Sequence, residues 1–277
     1  MNKNILVTGG AGFIGGHLVD FLVSKSYNVL VIDNFSNGNY KNKKATYINS
    51  DVLTIDSSVL KDIDTVYHLA GILDVETSKR NPTKYFEQNS TSTEKLINSC
   101  VDMNVRKFIY SSSCASAFPY SSPYALSKYL PEFYCKTYNN LFDIDTVSLR
   151  FFNVYGDRMN HSGYKLVLSI FLEQFKNNTP LTVINDGTQR RDFIHVYDVV
   201  SVLYNSKDIK TDGGVFDVGS EKTHSILDLV KMFGSEYEFI GEREEEEIAF
   251  ANIENTMKVL KWTPKHKIEE YIKCIVN

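Results

Sequence analysis

The stretch NILVTGGAGFIG, residues 4–15, decides the fold of this 277-residue chain. It is an apolar run that ends in three spaced glycines, and a helix is predicted to begin near Phe13. Gly9 allows a tight turn, Gly12 lets a ligand approach the backbone, and Gly15 lets the helix pack close to the strand. The free amide groups at the start of that helix form a site for a phosphate group.

A second apolar run, NVLVID at residues 28–33, predicts the next strand. It ends in Asp33, eighteen residues after Gly15. A carboxylate at this position accepts hydrogen bonds from the adenosine ribose hydroxyls and repels a 2′-phosphate. Strand, glycines, helix, strand and acid in this order therefore predict a dinucleotide site that prefers NAD to NADP.

Strand-like and helix-like stretches alternate through the first half of the chain, which predicts an α/β fold with a doubly wound parallel sheet. The expected strands lie at 4–8, 28–33, 46–50, 64–69, 107–112 and 144–150, and the expected helices at 13–25, 85–103 and 123–139. Proline cannot donate the helical hydrogen bond, so Pro131 is expected to bend or split the last of these helices. We expect an NAD-binding domain over 1–155, to which 190–218 returns, and a smaller second domain from 156–189 and 219–277.

Composition excludes several classes of function. The formal net charge is −4 and no basic block occurs, which argues against nucleic acid and anionic membranes as partners. The sequence has no run of eighteen apolar residues, so no membrane span is predicted. The first predicted strand begins so close to residue 1 that no room for a signal peptide is expected before it. The cysteines are scattered without metal-type spacing, so we expect no metal site and reduced thiols in the cytoplasm. They are Cys100, Cys114, Cys135 and Cys274.

The sequence YALSK, residues 124–128, places Tyr124 and Lys128 four residues apart on one face of a helix. A phenol titrates near 10, which is too high for a base at neutral pH, but an ammonium group one turn away lowers that value. The pair can then take a proton from a sugar hydroxyl or return one. Ser113, at the end of the preceding strand, can hydrogen-bond the same oxygen.

These motifs and three others resemble the extended short-chain dehydrogenase/reductase family, in its branch of nucleotide-sugar epimerases and dehydratases. The further motifs are RFFNVYG at 150–156, DGTQRRDFIHVYDV at 186–199 and KWTP at 261–264. The resemblance implies a Rossmann fold, bound NAD, a nucleotide-sugar substrate that is UDP-linked, and a homodimer. The dimer would form through the helices near 85–103 and 123–139.

The resemblance also implies which residues bind the ligands. Its cofactor contacts are Gly9, Gly12, Phe13, Ile14, Gly15, Asp33, Asn34, Asp51, Val52, Leu69, Ala70, Gly71, Asn89, Tyr124 and Lys128. Its substrate contacts are Ser78, Ser113, Cys114, Asn153, Arg191, Arg243 and Ala249. Arginines suit a diphosphate because they can bind it in a bidentate way. The small side chain of Ala249 would admit an N-acetylhexosamine as well as a plain hexose.

The residues after Ser113 favour one reaction. Family dehydratases carry an acidic pair there, and decarboxylases tend to carry a glutamate, whereas this chain has Cys114 and Ala115. The prediction is therefore 4-epimerisation through a transient 4-keto sugar. A dehydratase in which Cys114 acts as acid or base, a 4-keto-sugar reductase and a non-catalytic NAD-binding sensor remain as alternatives. Tyr124 follows Ser113 by only eleven residues, about half the family spacing, so the wall of the sugar site is shortened.

Overall fold

The computed structural model describes residues 4–159, 166–241 and 250–277. Its strands are β1 (Asn4–Thr8), β2 (Asn28–Asp33), β3 (Thr46–Asn49), β4 (Ile63–His68), β5 (Lys107–Ser113), β6 (Asp145–Phe151), β7 (Asn153–Tyr155), β8 (Leu181–Val183), β9 (Arg190–His195), β10 (Gly214–Val218), β11 (Thr223–Ser225) and β12 (Tyr237–Phe239). Seven of them form a parallel sheet in the order β10-β6-β5-β4-β1-β2-β3. The predicted doubly wound α/β fold is confirmed.

Helices cover both faces of this sheet. They are α1 (Phe13–Ser24), α2 (Val75–Arg80), α3 (Pro82–Tyr85), α4 (Ser92–Asp102), α5 (Pro123–Leu141), α6 (Val167–Lys176), α7 (Val196–Ser206), α8 (Ile226–Phe233), α9 (Glu254–Leu260) and α10 (Ile268–Val276). Helices α1 and α7 pack on one face, and α4 and α5 pack on the other. A π-helical turn, Phe86–Thr91, joins α3 to α4, so the helix predicted at 85–103 contains a local widening.

The centre of the sheet is buried on both sides, which explains the continuous apolar run in the middle of β1. In β1, Ile5 and Val7 belong to the core under α1 and α7, whereas Leu6 between them belongs to the core under α4 and α5. Successive side chains of a strand point to opposite faces, so both faces need apolar residues. Strand β1 lies between β2 and β4, where the strand order reverses. Ligands of such sheets bind outside the carboxyl ends of the strands at this reversal.

Helix α5 runs unbroken through Pro131. Of the two expected effects of Pro131, the split is therefore wrong, and the bend stays a prediction. Proline leaves the carbonyl of the fourth preceding residue, Ser127, without its helical donor. The hydroxyl of Ser90 donates a 2.9 Å hydrogen bond to that carbonyl. A side chain from the π-helical turn thus replaces the missing amide and lets the helix continue.

Two smaller sheets lie beyond the main one. One has the order β11-β9-β7 and the other pairs β12 with β8. A third hydrophobic core joins them to α6, α8 and α10. Because β7 follows β6 almost directly, residues of this second region come close to the carboxyl ends of the central strands. No helix in the described part of the chain is long and apolar enough to cross a membrane.

Candidate active site

A cavity of about 500 Å³ lies at the carboxyl ends of the central strands. Its size is in the ordinary range for small-molecule sites. The predicted site residues that line it are Gly9, Gly12, Phe13, Ile14, Gly15, Asp33, Asn34, Asp51, Val52, Leu69, Ala70, Gly71, Ser113, Cys114, Tyr124, Lys128 and Asn153. The fold thus brings the glycine motif and the Tyr124–Lys128 pair to one cavity.

The glycine loop is shaped by close backbone contacts. A Cβ atom added at Gly9 would lie 2.7 Å from the amide nitrogen of Ala70, and one at Gly15 would lie 2.1 Å from the carbonyl oxygen of Gly9. Gly12 differs, because its nearest such neighbour, the same carbonyl, is 3.4 Å away and a side chain there would project into cavity space. No side chain in the described ranges caps α1, so its first amides can bind a pyrophosphate.

Asp33 is held at the end of β2 by two backbone amides. Its Oδ2 accepts a 2.8 Å hydrogen bond from Ala11, and its Oδ1 accepts one of 2.8 Å from Phe35. Each carboxylate oxygen has further acceptor capacity for ribose hydroxyls. Beside it, the side-chain amide of Asn34 donates a 3.1 Å hydrogen bond to the carboxylate of Asp51. This bond links the segment after β2 to the segment after β3. The arrangement fits the adenosine half of NAD.

Lys128 is buried in the cavity wall. Its ammonium group donates a 2.6 Å hydrogen bond to the carbonyl of Ser111 and lies 4.8 Å from the ring centre of Tyr110. Burial lowers the pKa of Lys128 to about 8, and the Glu132 carboxylate opposes this shift. Tyr124, one turn earlier on α5, packs edge-on against the ring of Tyr85. A cation thus lies one turn from a phenol in the cavity wall.

Ser113 ends β5 and caps the 3₁₀ turn Cys114–Ala117, where its hydroxyl accepts a hydrogen bond from the amide of Ala115 at 3.3 Å. Cys114 follows it in the cavity wall. Burial raises the pKa of the Cys114 thiol to about 11. The thiol is therefore protonated at neutral pH and is a weak acid and a poor base. Of the short segment between Ser113 and Tyr124, only Cys114 and Ala115 reach the described cavity wall.

Asn153 and Arg191 extend the site toward the smaller sheets. Asn153 lines the cavity, and its side-chain amide donates to the carbonyl of Asp192 at 2.8 Å. Arg191 is on the neighbouring strand β9, outside the cavity wall, with its guanidinium bonded to Gln189 and to the carbonyl of Arg190. It lies near enough to Cys114 to influence its thiol.

Two predicted ligand contacts lie behind the wall instead. Ser78 is fully buried; its hydroxyl donates to the carbonyl of Val75 at 2.6 Å and accepts from the amide of Tyr124 at 3.1 Å. Asn89 is buried, and its amide group binds both backbone groups of Ile72 and the hydroxyl of Ser127. These residues support the backbone around the site rather than line it. Arg243 and Ala249, also predicted to bind substrate, lie outside the described residues.

His68 is part of this support. It is fully buried, with Nδ1 2.7 Å from the hydroxyl of Thr8 and Nε2 2.9 Å from that of Thr93. Burial lowers the pKa of His68 to about 3, so the ring is neutral. The hydroxyl of Thr8 also accepts from the amide of Ala70 at 3.2 Å. The histidine thus links Thr8, directly before the glycine loop, to Thr93 of α4, and Thr8 in turn binds the loop after β4.

The sequence did not predict the buried polar cluster around Glu132, which lies behind Ser113. Glu132 lies four residues after Lys128, and its carboxylate binds Arg150 and the hydroxyls of Ser112 and Ser116. The helical spacing of Tyr124, Lys128 and Glu132 was the available signal, since all three share one face of α5.

Comparison with known proteins agrees with this site. Residues 5–219 match the NAD dependent epimerase/dehydratase family. A putative UDP-glucose 4-epimerase of Methanocaldococcus jannaschii is 33% identical, over 99% of this chain and 97% of that protein. The UDP-N-acetylglucosamine 4-epimerase of Methanobrevibacter ruminantium, solved with UDP-N-acetylmuramic acid, superposes with a TM-score of 0.92 at 32% identity, covering 99% and 97%. The UDP-glucose 4-epimerase of Thermotoga maritima, solved with UDP-glucose, gives 0.91 at 29% identity and the same coverage.

The family match covers most of the chain, and the cavity that it covers carries the glycine loop, Asp33 and the Tyr124–Lys128 pair. The chain therefore belongs to the NAD-dependent epimerase/dehydratase family of extended short-chain dehydrogenases/reductases and is an enzyme that uses NAD.

Proposed function

We propose that the protein interconverts the C4 epimers of a UDP-linked hexose or N-acetylhexosamine and keeps its NAD bound throughout. The observation that carries this proposal is the single cavity shared by the glycine loop, the Tyr124–Lys128 pair and Ser113. Proton transfer and hydride transfer at one carbon need those groups side by side.

The residues of the chain divide the work as follows. Tyr124 takes the proton of the C4 hydroxyl when the 4-keto sugar forms and returns it after the sugar has turned over. Lys128 stabilises the phenolate by its charge, and Ser113 hydrogen-bonds the same sugar oxygen. NAD, which the glycine loop and Asp33 would hold, would supply reversible hydride transfer at C4, so no second substrate would be consumed.

The diphosphate is assigned to Asn153, Arg191 and Arg243, and the acyl group of a hexosamine to the space left by Ala249. The smaller domain of 156–189 and 219–277 would hold the sugar nucleotide together with Asn153 and Arg191, while 1–155 with 190–218 would hold NAD. Solved relatives carry UDP-glucose and UDP-N-acetylmuramic acid, which supports a UDP-linked substrate and tolerance of an N-acetyl group.

Three alternatives receive less support. Elimination of water needs an acid–base group beside Ser113, and the neutral thiol of Cys114 and the methyl of Ala115 supply none at neutral pH. A 4-keto-sugar reductase would have to exchange its cofactor in every cycle, so release of NADH between turnovers would identify it. A non-catalytic NAD sensor has no need of the complete set of Ser113, Tyr124 and Lys128.

We also propose a homodimer through α4 and α5. The outer side of α5 exposes Phe133 and Leu141, with 53% and 69% of their surfaces accessible, and a second copy of α4 and α5 would cover them. Sedimentation at micromolar concentration tests this proposal, for which a dimer is expected and a monomer contradicts it.

Product analysis by NMR tests the proposed function. The purified protein is incubated separately with UDP-glucose, UDP-galactose and their N-acetyl counterparts, without added cofactor. The proposal predicts the same gluco/galacto mixture from either side of at least one pair. A product that lacks a hydroxyl would point to elimination, and unchanged sugars in every tube would contradict the proposal. Turnover of UDP-glucose without UDP-N-acetylglucosamine would overturn the role given to Ala249.

A further inference from the structure

The carboxylate of Glu132 is buried behind the catalytic wall, with only 4% of the residue exposed. Its Oε1 accepts hydrogen bonds from the hydroxyls of Ser112 at 2.6 Å and Ser116 at 2.7 Å and from Nε of Arg150 at 2.9 Å. Its Oε2 accepts a second bond from Arg150 at 2.7 Å. Glu132 does not line the cavity, so any effect on the reaction passes through its neighbours.

Those neighbours hold Ser113 from both sides. Ser112 precedes it on β5, and Ser116 belongs to the 3₁₀ turn that Ser113 caps. The hydroxyl of Ser116 lies 2.7 Å from the carbonyl oxygen of Ser113 as well as from Glu132. One carboxylate therefore fixes the strand residue before Ser113 and the turn after it.

The same carboxylate is carried by the helix that bears Tyr124 and Lys128. Glu132 stands one turn beyond Lys128, directly after Pro131, and the backbone at Lys128 is held from outside the helix. The carbonyl of Lys128 lies 3.4 Å from the hydroxyl of Ser112 and 3.3 Å from that of Tyr110. Glu132 thus joins α5 to the end of β5, close to Lys128 on the helix and Ser113 on the strand.

The charges around this junction come from several elements. Arg150 of β6 neutralises Glu132 through two hydrogen bonds, and Asp217 of β10 lies near that pair. Lys128 of α5 is also within reach of this charge, because the negative charge of Glu132 favours its ammonium form against burial. Tyr110 of β5 and Cys135 of α5 also face the carboxylate, and burial keeps both neutral by raising their pKa values.

We propose that Glu132 is a positioning residue for the reaction: through Ser112 and Ser116 it fixes the Ser113 hydroxyl relative to Tyr124, and it joins the Lys128 turn of α5 to the end of β5. The inference rests on the proposed epimerisation, because that reaction gives Ser113, Tyr124 and Lys128 the roles that Glu132 would support. Glu132 itself touches neither substrate nor cofactor.

Glu132→Gln keeps the shape of the side chain and removes its charge. We expect kcat to fall by about 100-fold with KM little changed, as a displaced catalytic group would cause. Bound NAD, measured after denaturation, should equal that of the wild type. Ser116→Ala keeps the Glu132–Arg150 ion pair and should lower kcat by less than Glu132→Gln does. If Glu132→Gln does not fold, Ser116→Ala takes its place as the test variant. Glu173→Gln, an exposed carboxylate on α6, is the matched control and should behave as the wild type.

A titration without substrate separates this inference from the proposed function. Protein labelled with ¹³C at lysine Cε, with Lys128 assigned from the Lys128→Arg spectrum, is followed by NMR against pH. The Lys128 midpoint, about 8 in the wild type, should fall in Glu132→Gln and stay in place in Ser116→Ala and Glu173→Gln. A folded Glu132→Gln with wild-type kcat and an unmoved midpoint would overturn the inference. If the wild type turns over no sugar, the proposed function fails, while the titration still decides whether Glu132 controls Lys128.

Discussion

The ammonium group of Lys128 and the carbonyl oxygen of Ser111 are 2.6 Å apart, so the end of β5 holds the cation of α5 in place. Ser113, two residues further along the same strand, lines the same cavity as Lys128. The strand that carries the serine therefore also fixes the lysine. A fixed cation lowers the cost of forming a phenolate one turn away, because no side chain must reorganise when the charge develops.

Replacing Tyr124 by phenylalanine should remove the proton acceptor and leave the cavity intact. We expect kcat to fall by about 100- to 10,000-fold, the usual contribution of a positioned acid–base group. The NAD content of the purified variant should match the wild type, since the glycine loop and Asp33 are untouched. Initial rates and the absorbance of released NAD measure both quantities. Full activity in this variant would remove Tyr124 from the mechanism.

Turnover should decline on the alkaline side with a midpoint near the pKa of Lys128, about 8. Burial lowers that pKa, so the charged form dominates below about 8 and is lost above it. Loss of the charge weakens the stabilisation of the Tyr124 phenolate. The pH profile of kcat for the wild type and for Lys128→Met checks this. A wild-type rate that stays level from pH 7 to about pH 10, where an ordinary lysine titrates, would contradict the assignment.

Changing Cys114 to alanine should leave the rate and the products unchanged. Burial raises the pKa of the thiol to about 11, so it carries no charge at neutral pH and shuttles no proton. Product NMR and initial rates with the best substrate provide the readout. If the variant loses activity while its stability to urea is that of the wild type, the dehydratase alternative gains the acid–base group that it needs.

Gly15→Ala and Gly12→Ala should fail in different ways. A methyl group at Gly15 would lie 2.1 Å from the Gly9 carbonyl, so the first variant should lose about 3 kcal/mol of stability or fail to fold. A methyl group at Gly12 would enter the cavity, so the second should fold normally and bind NAD more weakly, by about tenfold or ~1.4 kcal/mol. Urea unfolding and calorimetric titration of NAD distinguish the two. Equal stability of both variants would contradict the packing described for Gly15.

Acid should destabilise the protein through His68. Its folded pKa is about 3 against an ordinary value of 6.5, so the unfolded chain binds a proton that the folded chain refuses. The stability that its neutral form provides is complete above pH 6.5 and is lost as pH falls toward 3; between pH 6.5 and 5 the loss is about 2 kcal/mol. His195, whose burial lowers its pKa to about 4, acts in the same direction.

The change His68→Gln should flatten this dependence. Urea unfolding of the wild type and the variant at pH 6.5 and pH 5, in excess NAD, measures the difference. Identical pH slopes would show that His68 does not titrate as its burial implies.

The sequence predicted those parts of the site that depend on local backbone demands. The glycine loop and Asp33 follow from a tight turn, a close approach and a strand end, all readable within one βαβ unit. Helical spacing likewise paired Tyr124 with Lys128.

What escaped prediction depends on contacts between distant segments. Ser78 was expected in the sugar site, but it faces the Tyr124 amide from another helix. The continuity of α5 at Pro131 depends on the hydroxyl of Ser90. The Glu132 cluster needs β5, β6 and α5 to meet, and no single stretch of sequence encodes that meeting.

The central claim is that hydride leaves C4 of the sugar and returns to C4 while NAD and the sugar nucleotide both stay bound to the enzyme. The most direct test uses a UDP-hexose, or its N-acetyl form, carrying deuterium at C4, incubated in ordinary water without added cofactor. NMR of the 4-epimer should show the deuterium fully retained at C4, and the reverse reaction in heavy water should introduce none at any ring carbon. Loss of deuterium from C4 to solvent, or solvent deuterium at C3 or C5 of the product, would contradict 4-epimerisation by retained NAD.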